Sequence, residues 1–318
     1  MKETKAFVTK ERTLHQFVSN FWDVQHTRIL LENRFNATQN NALGIHVDKL
    51  REVEKSIALD IRQEVQKYPI CEWIISQRGL GYELAGQLVG IIQDIGRFSN
   101  VSKLWAYFGL AVIDVCEECK RPYYPPETKA NKIANLARRL QEQYEKKIVK
   151  EGSKDFEAQA SEMVCQCEWP KLIKTTQKAR KGVLGDYNPQ AKMLAYKIGA
   201  QFVKQGAEYR DLYDQFRKEY EARPDLQAQR AERAGKVSKK GTSKGTAHIH
   251  AMAMRRVEKL FLSHLWAEWR KLEGLPLTEP YAIAQLGHSD YISPPSNHFG
   301  LVKQSRTKTT EVTQQEGK

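Results

Sequence analysis

Residues 74–110 read IISQRGLGYELAGQLVGIIQDIGRFSNVSKLWAYFGL, and this stretch decides the fold. Gly79 and Gly81 predict a tight turn with left-handed backbone and close approach of the chain to itself. Beyond it, Leu84, Leu88, Ile91 and Ile95 recur at three- and four-residue steps along one face of a helix. Asp94-Ile95-Gly96 closes that helix with Gly96 as its left-handed cap, and Ser99 or Asn100 caps the next, whose apolar face is Leu104, Tyr107 and Phe108. The expectation is a compact helical hairpin. A Gly-x-Gly that opens a helix also presents free backbone N–H groups to a phosphate, but a plain packing turn uses the same glycines.

Outward from this hairpin, 318 residues with 41% hydrophobic content are enough for one large domain or two modest ones. With 51 Lys+Arg against 38 Asp+Glu the formal charge is +13, which favours a polyanionic partner, nucleic acid first. No apolar run approaches the roughly 20 residues of a membrane span, and the opening MKETKAFVTKERT is polar, so neither a membrane nor a secretion signal is expected. Five cysteines without such a signal fit a reducing compartment, the cytoplasm. Only 11 prolines and 19 glycines interrupt long mixed-charge runs, and few segments read as strands; the expected class is all-α.

Leu14, Phe17, Phe21, Val24, Leu31 and Phe35 form a heptad seam if Arg28 takes the remaining inward position. Arg28 is then a side chain snorkelling at the rim, a phosphate contact or a register-fixing polar member. After an Asn/Gly-rich loop the spacing repeats at Leu50, Val53, Ile57, Ile61 and Val65, giving an antiparallel hairpin or coiled coil whose stripes need further cover, for which a dimer is expected.

Cys116-Glu-Glu-Cys119 has the spacing of a zinc knuckle, and Cys165-Gln-Cys167 offers two more thiolates, so that four soft ligands can close one tetrahedral structural zinc site. The alternative is four free thiols. The charged segment between them reads as one or two helices. Residues 171–181, KLIKTTQKARK, hold Lys171, Lys174, Lys178, Arg180 and Lys181 without an acid. A helix is then expected from Asn188 to about Glu221, carrying Lys192 and an apolar stripe that includes Met193, Tyr196, Ile198, Phe202, Tyr213 and Phe216, until Pro224 stops it. Residues 227–247 place Arg230, Arg233, Lys236, Lys239, Lys240 and Lys244 in a basic loop held extended by like charge; its order does not make a P-loop. An amphipathic helix follows, with Met252, Val257, Leu260, Phe261, Leu265, Trp266 and Trp269 on its apolar side and Arg255 and Arg256 among its charges. His248 and His250 lie two apart and face away from each other on a helix, so RNA contact or capping suits them better than a metal. Tyr281, His288 and Tyr291 can stack on bases or pack a C-terminal arm onto the core.

The string formed by Gly79, Gly81, Ala85, Leu88, Ile95, Gly96, Arg97, Phe98, Leu104, Tyr107, Gly109 and Leu110 resembles the signature in the C-terminal domain of transposases from insertion sequences that carry a bridge RNA. It is more distantly similar to the Nop domain of box C/D ribonucleoproteins. Gly185, Asn188 and Leu194 look like the family's Gly-Asn-x-x-Leu helix, but no serine lies between Val164 and Asn188, where the family carries its strand-exchange nucleophile. Thr175 and Thr176 are the nearest hydroxyls, and neither has an activating base beside it in sequence. The family's RuvC-like nuclease module, with its Mg²⁺-binding carboxylates, has no counterpart ahead of the hairpin.

A guide-RNA-binding body without a nuclease resembles the nuclease-free Tas proteins of tandem interspaced guide RNA systems. That resemblance implies a homodimer around a short guide RNA, which directs recognition of double-stranded DNA without cleavage, and no enzymatic activity. Expected divisions are a dimerising hairpin at 1–69, a Nop-like RNA-binding domain at 70–115 plus 169–275, the Cys-bearing insertion at 116–168, and an arm and tail at 276–318. Expected RNA contacts come from the basic residues of 171–181 and 230–244 with Lys192, His248, Arg255 and Arg256. The other readings are a transposase-derived protein that lacks its nuclease, and a helix-hairpin-helix DNA binder.

Overall fold

A computed structural model describes residues 2–145, 155–176, 184–233, 244–277 and 292–294. The protein is all-α, with eleven α-helices and one two-stranded ribbon among these residues. The chain opens with α1 (Lys2–Thr38) and α2 (Asn41–Val65), an antiparallel hairpin turned at Gln39 and Asn40. Gln39 adopts a φ of 53°, and the Asn40 side chain accepts a hydrogen bond from the Ala42 N–H, so the short loop both reverses the chain and caps α2. Arg28 sits across this hairpin: its guanidinium donates to Glu54 at 2.5 Å and to Glu32 at 2.8 Å. Burial alone would push the Glu54 carboxyl up, but hydrogen bonds from Arg28 and Gln25 hold it below the ordinary carboxylate range. This is the register-fixing arrangement, a polar member of the seam paired with the facing helix.

The hairpin's open end straddles α4 (Tyr82–Ile92), which follows the short α3 (Ile70–Ser76). Gly86 and Gly90 lie one turn apart on α4 and make this approach possible. A Cβ on Gly86 would fall 2.2 Å from the Ile61 Cγ2, and one on Gly90 would fall 2.7 Å from a Val18 methyl. Leu14, Val18, Ile61 and Val65 therefore share one hydrophobic cluster with Leu88, Ile91 and Ile92.

The turn before α4 uses its two glycines differently from expectation. Gly79 has a φ of 96°, in the left-handed region, and packs against Gln205. Gly81 has a φ of −108°, and a Cβ placed on it would meet nothing within 4 Å, so it serves as an extended N-cap that any residue could supply. Gly96 is likewise not the left-handed cap. Gln93 takes that role with a φ of 62°, and Gly96 sits in a single 3₁₀ turn, Ile95–Arg97, whose start is held by the Asp94 carboxylate accepting from the Gly96 N–H at 2.6 Å. The reason is local: an Asp two residues before a glycine forms an Asx turn, which moves the helix stop upstream. Asn100 caps α5 (Val101–Tyr107) as expected, its Oδ1 accepting from the Lys103 N–H at 3.0 Å.

Strand β1 (Val112–Cys116) pairs antiparallel with β2 (Leu172–Thr176), with Cys116 opposite Leu172. Between them run α6 (Pro126–Glu145) and α7 (Phe156–Glu162), which have a small core of their own in Leu136, Ala137, Ala160 and Val164. The single helix expected from 188 to 221 is two: α8 (Pro189–Gln205) and α9 (Glu208–Ala222). Gly206 and Ala207 have φ of 79° and 70° and break it. In α8 the buried face is Ala191, Leu194, Ala195, Ile198 and Phe202, while Met193 and Tyr196, assigned to the stripe, point outward at 41% and 61% exposure. Helix α10 (Pro224–Arg233) leads to α11 (Lys244–Leu272), the long helix that closes the body. Trp266 Nε1–H and Arg270 both donate to the Phe98 carbonyl, and Trp105 Nε1–H donates to the Lys259 carbonyl, so α11 pins the 3₁₀ turn and α5 in place.

Candidate functional site

The four cysteines of the insertion converge. Their Sγ atoms all lie within 4.8 Å of one another, and Cys116 Sγ is 3.8 Å from Cys167 Sγ. The convergence is built by backbone. Lys120, with a φ of 58°, turns the chain back after β1, so that the Lys120 N–H reaches the Cys116 carbonyl and the Cys116 N–H reaches the Arg121 carbonyl, both at 3.0 Å. The Cys165 N–H donates to the Pro122 carbonyl at 2.8 Å and the Glu117 N–H to the Lys171 carbonyl at 2.7 Å, which fastens the second pair beside the first.

The donor set fits zinc. Four thiolates at about 2.3 Å from a tetrahedral ion stand ~3.8 Å apart, the separation seen between Cys116 and Cys167 and far from disulfide bonding. Backbone N–H groups of Cys119 and Glu118 pull the Cys116 thiol down to about 7, whereas Cys167, facing the other sulfurs, is pushed up to about 12. Four thiols in such contact cannot all ionise without a cation to neutralise them.

The basic residues expected to contact RNA divide. Lys171 is exposed and pairs with Glu117 at 2.8 Å, and Lys174 is exposed on β2. Lys178, Arg180, Lys181, Lys236, Lys239 and Lys240 lie outside the described residues, as do Tyr281, His288 and Tyr291. The expected extended basic loop over 227–247 is helical at both described ends: Arg230 and Arg233 fall on α10, and Lys244 opens α11. Lys192 places its Nζ 4.4 Å over the Tyr187 ring, and Arg256 stacks over Phe216 at 3.8 Å while pairing with Glu219. His248 is exposed near the start of α11, two residues before His250.

The structure brings Lys192 and Arg255 together around one buried acid. Burial pushes the Glu258 carboxyl up to about 7, against the pull of Arg255 and Lys192. His250 and His264 are packing residues: Tyr213 and Tyr209 meet their Nδ1 atoms at 2.6 and 2.8 Å.

Sequence reasoning missed a second cluster of cations. Helix α6 carries Lys132, Arg138 and Arg139 toward Arg97 and Lys103, across a cleft floored by Tyr187 and Asn188. The available signal was the spacing of Lys132, Asn135, Arg138 and Arg139, which is one helical face.

No family model, curated protein or solved structure matches the chain. Among the described residues, no helix is long and apolar enough to cross a membrane.

Proposed function

We propose that this protein binds a short guide RNA and uses it to recognise double-stranded DNA without cleaving it. The observation that carries the reading is where the resemblance string falls: Ala85, Leu88, Ile95 and Leu104 are fully buried at the centre of the fold, and Gly79 and Gly109 occupy left-handed positions that favour glycine. These positions pack the core, the role a domain signature would have, and that supports reading 70–115 with 169–275 as a Nop-like arrangement. The formal charge of +13 supplies the attraction for a polyanion.

In this reading the α1–α2 hairpin is the homodimer contact. Ile29, Leu30, Ile45, Val53 and Leu59 remain 42–59% exposed on it, an apolar surface that a second copy would cover. Cys116, Cys119, Cys165 and Cys167 would hold a structural zinc. With four protein ligands it has no open position for chemistry, and its contribution is to fix the insertion.

Purified protein, treated separately with RNase and DNase, tests the function through the nucleic acid that travels with it. The expected outcome is that RNase removes the 260 nm absorbance and DNase does not. Loss to DNase alone would remove the guide-RNA reading and favour a DNA-binding hairpin protein.

A further inference from the structure

We infer that the cleft between α5, α6 and the start of α8 is the seat of a single-stranded RNA backbone, an inference that rests on the guide-RNA reading and locates it on residues outside the basic runs 171–181 and 230–244. The cleft has a volume of about 730 Å³ and is lined by five cations, Arg97, Lys103, Lys132, Arg138 and Arg139, against one carboxylate, Asp186. Pockets of roughly 300–1,000 Å³ take ligands the size of a nucleotide or two. A duplex, whose major groove alone is about 12 Å wide, would meet only its rim.

Arg97 and Arg139 are held in advance of any ligand. Arg97 lies over a touching aromatic pair, 5.1 Å from the centroids of both Phe98 and Tyr107, and commits one of its N–H groups to the Ile92 carbonyl at 3.3 Å. Arg139 donates to the Gly185 and Tyr187 carbonyls at 2.7 and 3.0 Å, which ties α6 to the floor of the cleft. Tyr107 is locked by donating to the Ile91 carbonyl at 3.1 Å and accepting from Asn188 Nδ2 at 2.9 Å. A guanidinium has five donors, so Arg97 and Arg139 each keep several for phosphate oxygens after these contacts.

Charge balance inside the cleft points the same way. Lys132 neutralises Asp186 at 2.5 Å, and Arg138 pairs with Glu142 on its own helix. Among the described residues, Arg97, Lys103 and Arg139 have no carboxylate within ion-pair distance. Cations without counter-charges repel one another in a confined space, and an entering phosphodiester removes that repulsion, at little cost in side-chain ordering for Arg97 and Arg139. Asn135 and Gln190 add exposed amides able to meet ribose hydroxyls or base edges, while Asn188 is committed to Tyr107 and to capping α8.

The test is titration of fluorescein-labelled poly(U) RNA and poly(dT) DNA of equal length with full-length protein stripped of bound nucleic acid. The variant is Lys103→Glu with Arg138→Glu, both exposed positions; the control is Lys204→Glu with Lys218→Glu, exposed on α8 and α9. Each phosphate neutralised contributes about 0.7 to the log–log salt slope for a single strand, so the variant is expected to lose at least about tenfold in RNA affinity and about 1.4 in slope. The control should lose clearly less. In wild-type protein, photo-crosslinked poly(U) should be recovered on peptides spanning 97–107 or 132–139, a readout independent of whether the variant folds. Wild-type-like RNA binding by a folded variant, with crosslinks elsewhere, would overturn the cleft assignment and leave the guide-RNA reading standing. Wild-type protein that binds poly(dT) and not poly(U) would overturn both.

Discussion

Gly90 has no side chain because Val18 occupies the space one would fill. The hypothetical Cβ lies 2.7 Å from a Val18 methyl and 3.4 Å from the Leu14 carbonyl, and both neighbours belong to a backbone-rigid helix. Gly90→Ala should therefore destabilise by roughly 1–3 kcal/mol, the range for forcing a methyl into a packed core. That corresponds to a drop in Tm of about 2–4 °C per kcal/mol for a chain of this size. Val18→Ala in the same chain should recover part of the loss, a coupling that thermal melts of the two single variants and the double variant would reveal. Additive losses would show that α1 does not pack as described. Gly81 is the contrast: its φ of −108° and empty surroundings place no such demand on it. Both glycines of the Gly-x-Gly turn look equivalent in sequence because φ depends on the packing partner, and only Gly79 has one, in Gln205.

Among the elements, the α6–α7 insertion depends most on something outside its own packing. Its private core is Leu136, Ala137, Ala160 and Val164 with a few half-buried neighbours, too small to hold two helices firmly. The cysteine pairs sit at its two ends, so a zinc there would close the loop and fix where α6 lies against the cleft. Metal analysis of protein purified under reducing conditions should find about one zinc per chain. Cys167→Ser should release it and raise amide exchange across α6 and α7 while α4 and α11 keep their protection. Protein that binds no metal with its thiols reduced would contradict the assignment. The convergence of the four cysteines was legible in the sequence because C-x₂-C is a short-range pattern, and the strand pairing that joins it to C-x-C needs only one ribbon. The break between α8 and α9 had one local signal, Gly206 with its φ of 79°; the second residue of the break, Ala207 at 70°, had none, because no propensity of alanine foretells it.

Over the whole molecule, the helical class followed from periodicity, and Arg28 was readable as the polar member of the α1 seam; on α2 the expected seam residue Val53 is instead 46% exposed, and its neighbour Glu54 turns inward to meet Arg28. The cationic cleft was hidden for the opposite reason. Lys132, Arg138 and Arg139 read as the solvated face of a charged helix, and nothing local says that α6 folds back onto Arg97 and Lys103. Charge gives the class of partner but not its place, since the same excess of lysine and arginine serves a loop, a ribbon or a cleft. The central claim concerns the partner itself. Sequencing the short RNAs that leave the purified protein on denaturation tests it most directly. The account predicts one dominant short RNA species, absent from a parallel preparation of an unrelated protein of similar positive charge. A profile matching that of the unrelated protein, with cellular RNAs in proportion to their abundance, would contradict it.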